Sequence, residues 1–488
     1  MVSSVDFVAM LLGASKILKP KKYPIYKTIP KTYTNPIPDP NPIHQPKVEM
    51  KPSKIPSTRL GRIYEFTSLG IGITGGIISD KLKQSVGLSS GNSIFSPANV
   101  ERIVQKLIKM RGAALKIGQM LSIQDSKMIP EEVHTIMRRV QNSADFMPEW
   151  QLDGVLNKEL GSDWMKDYEH FEKIPIAAAS IGQVHKAKLK TGETVAVKIQ
   201  YPGVVESIDS DLDNLVMLLS LGQLLPKGLY LDNTVRVARN ELKMECDYLR
   251  EAASIDRFRE LIKMENLDRV FHVPKVYTEL STEKVLVTEF VYGKPIDTVT
   301  NLSQMDRDYL GSSLLKLCLM ELFEFRFMQT DPNWSNFLYN EKTKKIELLD
   351  FGAARDFPKS FTDTYLKLLK AGADQDREKA IQHSIELGFL TGLESQQMTF
   401  AHVNSLFTLA LPFHKTDSPF YDFGKSSELT EKVRSDIPTM LRERLTPPPD
   451  ETYSLHRKLS GCFLLCGKLK SRINCAKEFE TRYKAYKF

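Results

Sequence analysis

In "QTDPNWSNFLYN" an aspartate, Asp331, is followed five residues later by an asparagine, Asn336, and fourteen residues beyond that "LLDFG" places Asp350 at the end of an apolar run. Carboxylate and carboxamide oxygens are hard ligands, so Asn336 and Asp350 could hold Mg2+ while Asp331 accepts or orients the proton of an attacking group. Upstream, "VAVKIQ" carries Lys198, whose ammonium could contact the α- and β-phosphates of a nucleotide. Moving a γ-phosphoryl group demands these residue types, because charge on the triphosphate must be neutralised and the nucleophile must be oriented.

Such residues need elements to position them. "VHKAKLKTGETVAVKIQ" reads as two β-rich runs joined by a Thr-Gly turn, which predicts a hairpin with Lys198 on its second strand. Lys198 alternates with Val195, Val197 and Ile199 and so faces the other way. "KVLVTEFVYGKPI" reads as a buried strand running into a glycine turn, where backbone groups of Glu289 and Val291 could hydrogen-bond an adenine. The order of lysine strand, hinge, D-x-x-x-x-N and D-F-G is that of a protein kinase and predicts a bound Mg-ATP. Lys198 also needs a carboxylate to hold it. "NELKMECDYLREAASIDRFRE", read as one helix, offers Glu245 and Glu251. Six helical residues turn about 600°, which predicts that these two point about 120° apart and serve different partners.

Three features depart from an ordinary protein kinase. The loop before Lys198 is "AAAS", Ala177, Ala178, Ala179 and Ser180, where a glycine-rich loop is expected. Alanine restricts the positive-φ conformations that bring N–H groups close to phosphate, so this loop is expected to change nucleotide geometry and preference. Gln329 and Thr330 stand where the His and Arg of H-R-D belong. After Gly352 the chain "AARDFPKSFTDTYLKLLKAGADQDREKAI" enters a helical pattern within about ten residues, with no long activation segment and no A-P-E. Little chain is left to dock a peptide.

The remaining regions are read from composition. The chain has 488 residues, 42% of them apolar and 26% charged, with a net charge of +7 that does not mark a nucleic-acid binder. Five cysteines in no C-x-x-C pair argue against a zinc site or a disulfide framework. Residues 1–60 carry ten Lys and Arg against three acids and become Pro-rich, as in "YTNPIPDPNPIHQP", which predicts a mitochondrial presequence and an unpacked segment. Gly72 and Gly76 lie in an uncharged run from Phe66 to Ser79, shorter than the roughly 20 residues that span a bilayer. Residues 61–95 thus read as a membrane-associating helix, a linker or a helix buried on the domain. Ile103, Leu107, Met110, Ala114, Ile117 and Leu121 form one helical stripe, with Lys116 and Gln119 of "KIGQ" on another face. The end of the chain, "KLKSRINCAKEFETRYKAYKF", is basic and aromatic and suits either a solvated helix or an anionic membrane surface.

"KIGQ", "AAASIGQVH", "VAVKIQYPG", "ECDYLREA", "QTDPNWSNF" and "DFG" in this order resemble the UbiB family of atypical kinases, the aarF-domain-containing group, from about Val100 to the C-terminus. The resemblance implies an α+β, protein-kinase-like two-lobed fold: a helical K-x-G-Q extension over 96–165, an N-lobe over 166–292 and a C-lobe over 293–488. It implies that Lys116 and Gln119 pack over the space a peptide would fill and meet Glu245 and Asp247, while Lys198 pairs with Glu251. It further implies ATP and Mg2+ as cofactors and a role in coenzyme Q assembly at the matrix side of the inner mitochondrial membrane. The implied partners are the coenzyme Q biosynthetic enzymes, anionic membrane lipids and lipid quinone precursors. An ATPase, a phosphotransferase acting on a protein or small molecule, and a nucleotide-sensing scaffold are the three activities in competition. The complete Lys-Asp-Asn-Asp set speaks against the last.

Overall fold

The computed structural model describes residues 52, 97–110, 146–220, 231–425, 439–440 and 442–488. Residues 1–60 apart from Pro52, the Gly-rich run over 61–95, and Lys116 and Gln119 lie outside them. Helix α1 (Pro97–Met110) buries Ile103, Val104 and Leu107, at the three- and four-residue spacing of one helical face, in the same hydrophobic core that holds Phe479 near the C-terminus. Helix α2 (Glu149–Leu160) follows, and Trp164, Tyr168 and Phe171 then pack edge to face with ring centroids 5.1 to 5.9 Å apart.

The first sheet contains β1 (Tyr168–Phe171), β2 (Ala177–Ala178), β3 (Gly182–Leu189) and β4 (Thr194–Gln200). Helices α3 (Val204–Ser220), α4 (Leu231–Glu245) and α5 (Tyr248–Met264) then lead to β5 (Phe271–His272) and β6 (Val285–Glu289). Strand order is β1-β3-β4-β6, with β2 also on β3, and every pair is antiparallel. The predicted hairpin is β3–β4, turned by Gly192 at φ +102°, a conformation costly for any residue with a Cβ. Along β4, Val195, Val197 and Ile199 are fully buried while Lys198 faces the other side. Gly182 serves packing: a Cβ there would lie 2.5 Å from the Ile199 carbonyl oxygen and 2.7 Å from the Tyr248 hydroxyl.

The segment read as one helix is two. Helix α4 ends at Glu245 and α5 begins at Tyr248, with Asp247 as N-cap accepting the Arg250 N–H at 2.9 Å. The angular separation expected of Glu245 and Glu251 on one helix therefore does not apply, because the chain turns between them.

The second lobe holds β7 (Lys294–Pro295), α6 (Gln304–Phe323), β8 (Phe327–Gln329), β9 (Phe337–Asn340), β10 (Lys345–Leu348) and β11 (Ala354–Asp356). The order β5-β10-β9-β7 forms one sheet, with β10 parallel to β5, and β8 pairs with β11 as a separate ribbon. A capping box between Ser303 and Asp306 starts α6, and its second half is buried almost all round. Helices α7 (Lys359–Ala373), α8 (Arg377–Glu386) and α9 (Gln396–Ala410), strand β12 (Tyr421–Asp422), α10 (Asp450–Leu469), β13 (Arg472–Ile473) and α11 (Cys475–Ala485) complete it. The basic terminus is docked, with Phe479 buried and the Tyr486 hydroxyl donating to Asp363 at 2.6 Å, while Lys477, Lys484 and Lys487 stay exposed. Among the described residues no helix is long and apolar enough to cross a membrane.

Candidate nucleotide site

Alternation along β4 turns the Lys198 side chain toward α5, whose first turn carries Glu251. The ammonium donates to both carboxylate oxygens of Glu251 at 2.8 Å, and the two side chains are 15% and 2% exposed. Lys198 also lies 3.4 Å from Asp350 Oδ1 and above the ring of Tyr248. Burial opposes its charge, but the carboxylates of Asp350 and Glu251 outweigh that and hold its pKa well above that of a free lysine. Burial pushes Glu251 up to about 7, against the pull of Lys198. The direction that governs the pair is the lysine's, since its ammonium has two carboxylates within reach.

Three residues of the second lobe complete the set, and of these Asp350 is the one in reach of Lys198. Asp331 accepts the Asn336 side-chain N–H at 2.8 Å and the Asn333 backbone N–H at 3.3 Å. Because the Asn336 nitrogen is committed to a carboxylate, its Oδ1 is the atom left for a cation. Asp350 has φ +55°, a left-handed conformation unusual for a residue with a Cβ. Gly352 follows: a Cβ there would sit 3.3 Å from both Asp350 Oδ1 and Glu251 Oε2, and 3.5 Å from Glu245 Cγ. Glu245 and Glu251 thus converge on one glycine from different helices, while Asp247 sits at the surface as a helix cap.

Ala177 and Ala178 pair with Val184 and Gln183, and the Ala179 N–H donates to the Gly182 carbonyl at 2.8 Å. No residue from Ala177 to Gly182 has positive φ, so the loop keeps the backbone that alanine favours. At the hinge, the Glu289 N–H donates to the Lys275 carbonyl at 2.8 Å, and its side chain accepts from the Lys275 N–H and meets His272. Hydrogen bonding by Glu289 to a base is thereby limited to its carbonyl. The segment after Gly352 is as short as its sequence predicts, with β11 starting at Ala354 and α7 at Lys359.

Several contributors were not read from the sequence. Gln329 replaces the expected His and donates to the Asp350 carbonyl at 3.1 Å, and the Thr330 hydroxyl donates to the Ala353 carbonyl at 2.7 Å. Arg250 donates to the carbonyls of Gly352 and Ala354 at 2.9 and 3.0 Å. Its place in "ECDYLREA", one residue before Glu251, was the available signal. Arg457 on α10 is buried and donates to Glu241 of α4 at 2.7 Å, tying the two lobes together.

A lysine on the sheet paired to a helix carboxylate, facing an Asp-Asn pair and a D-F-G aspartate, is a kinase arrangement. The family described as "ABC1 atypical kinase-like domain" matches residues 139–384. The chain belongs to the ABC1 atypical kinase family. It is 48% identical to "Atypical kinase COQ8, mitochondrial" of Saccharomyces cerevisiae, over 90% of this chain and 88% of that one. It is 49% identical to "Atypical kinase COQ8B, mitochondrial" of Danio rerio, over 90% of this chain and 70% of the other. Among solved structures, the Rv3197–erythromycin complex from Mycobacterium tuberculosis shares the fold, with a TM-score of 0.53 and 23% identity over 83% of this chain and 97% of that one. This ABC1 chain is a kinase-like enzyme of the atypical class, with the mixed α and β fold its sequence predicts.

Proposed function

We propose that this chain is a Mg-ATP-dependent ATPase that supports coenzyme Q biosynthesis at the matrix face of the inner mitochondrial membrane, handling lipid quinone precursors and stabilising the biosynthetic enzymes. The observation that carries the ATPase reading is the pairing of a complete Lys198–Asp331–Asn336–Asp350 set with a chain that leaves D-F-G and enters α7 at Lys359, which leaves little surface for a peptide. The mitochondrial names of the yeast and zebrafish relatives and the basic first sixty residues support the location.

In this reading the Glu289 carbonyl and the Val291 N–H face the adenine, and Ala177 to Ser180 cover the phosphates. Lys198, held by Glu251, contacts them. The donor set fits Mg2+, since Asn336 Oδ1 and the Asp350 carboxylate are hard oxygens on adjoining segments, the Leu349 N–H donating to the Asn336 carbonyl at 2.9 Å. A bound magnesium ion supplies neutralisation of triphosphate charge. Asp331 takes or orients the proton of the attacking group, with Asn336 fixing the carboxylate's rotation through its side-chain N–H. The family resemblance assigns Lys116 and Gln119, which lie outside the described residues, to a closing contact with Glu245 and Asp247. The divisions at 60, 95, 165 and 292 bound the presequence, the membrane-associating segment, the K-x-G-Q extension and the two lobes.

The test follows γ-labelled ATP with the full chain, with and without anionic vesicles carrying a polyprenylated phenol, and with Asp350→Asn as the blank. Label released as free phosphate and increased by the vesicles is the expected result. Label on a protein or small molecule would instead make the chain a phosphotransferase.

A further inference from the structure

The catalytic loop is braced from behind by a helix far along the chain. A Cβ at Gly461 of α10 would lie 2.3 Å from Pro332 Cβ, so the helix sits flush against the residue that follows Asp331. One turn earlier, Lys458 points into the lobe with its side chain 5% exposed. It donates to the Gln329 side-chain oxygen at 2.6 Å and lies 3.2 Å from Glu321 of α6, which is 1% exposed. Glu321 in turn accepts the Gln329 backbone N–H at 3.1 Å.

These contacts decide which way the Gln329 amide faces. An ammonium has donors only, so the oxygen of Gln329 must face Lys458 and its nitrogen must face away. That nitrogen meets the carbonyls of Leu349 and Asp350 at 3.4 and 3.1 Å. Asp350 is the residue held at φ +55°, and a backbone in that region persists only where its surroundings hold it.

We propose that Lys458 is a positioning residue for the magnesium site: by fixing the Gln329 amide it pins the left-handed backbone of Asp350 and so aims the Asp350 carboxylate at the cation. The lysine touches neither nucleotide nor metal, and its effect reaches the site through one neutral side chain. The inference rests on the Mg-ATP reading of the site above.

Titration of the full chain with a fluorescent ATP analogue, once with Mg2+ and once with EDTA, separates the two, with unfolding temperature recorded for each variant. Lys458→Met combined with Glu321→Gln removes both charges and leaves neither buried and unpaired. Gln329→Glu keeps an oxygen for Lys458 but loses the N–H donors. In both variants the gain in affinity on adding Mg2+ falls at least tenfold while affinity in EDTA stays within twofold of wild type. Lys458→Arg, which keeps a cationic donor, retains at least half of the gain. A role confined to stability would lower the unfolding temperature and leave the Mg2+ gain unchanged. That result in either the double variant or Gln329→Glu overturns the proposal, and if the double variant does not fold, loss of the gain in Lys458→Arg does so. A wild-type chain that binds the analogue equally well with and without Mg2+ overturns the Mg-ATP reading, and the proposal with it.

Discussion

Two buried lysine–glutamate pairs bear on Asp350, one at its side chain and one through Gln329 at its carbonyl, and their third partners differ. Lys198 shares its charge between Glu251 and the Asp350 carboxylate, the latter at 3.4 Å, and 15% of its side chain is open to the site. Lys458 is closed off, with Glu321 as its carboxylate partner at 3.2 Å, a neutral amide, Gln329, as its hydrogen-bond acceptor at 2.6 Å, and the Phe337 ring 4.9 Å away. The first pair touches the side chain of Asp350, where an incoming anion can compete for the ammonium. The second acts on its backbone through Gln329, where nothing from solvent can compete. A buried charge pair can thus be a working part when it opens on a cleft and a brace when it does not, with the same two residue types.

The contrast can be broken or sharpened by substitution. The largest effect is expected at the chemistry itself: Asp331→Asn keeps the contact with Asn336 but removes the proposed base, and should lower turnover by about 10²- to 10⁴-fold in a phosphate-release assay. Next come the pairs. Glu321→Gln leaves Lys458 buried without a carboxylate and should cost about 3–5 kcal/mol in denaturant unfolding. Glu251→Gln should cost less, because Lys198 keeps Asp350. Equal losses would show that the third partner does not matter. Ala178→Gly should destabilise β2 by about 0.5–1 kcal/mol through backbone entropy and shift nucleotide affinity; an unchanged affinity would separate the alanine loop from nucleotide geometry.

The smallest expected effect lies at the hinge. The hydrogen bond that His272 donates to the Glu289 carboxylate raises its pKa above the ordinary 6.5, with half-burial opposing. The pair therefore stabilises the fold fully below that ordinary value and loses the contribution as pH rises through the higher folded value. His272→Gln should flatten that slope in unfolding measured from pH 6 upward.

Local rules exposed the front of the site and hid its back. Lys198 was legible because alternation with Val195, Val197 and Ile199 fixes its face, and Asp331, Asn336 and Asp350 were legible because kinase chemistry fixes their spacing. The break between α4 and α5 was missed because Glu245 and Tyr248 both suit a helix and only Asp247 marks a new start, as an N-cap. Glu321 and Gln329 are eight residues apart on a helix and the strand after it, but Lys458 comes from a helix more than a hundred residues further on. Lys458 is buried only once α10 packs against α6 and the catalytic loop, a contact that the sequence around "LHRKLSG" does not mark. The docked C-terminus belongs to the same class, since Phe479 finds its partners only after the lobe has formed.

The central claim is that Asp350 makes this a magnesium-dependent nucleotide site, and calorimetric titration of the full chain with ATP, with and without Mg2+, tests it most directly. Wild type should bind ATP more tightly with Mg2+ than without, and Asp350→Asn should lose that difference while keeping the Mg2+-free affinity. An Asp350→Asn chain that retains the full Mg2+ dependence would contradict the account.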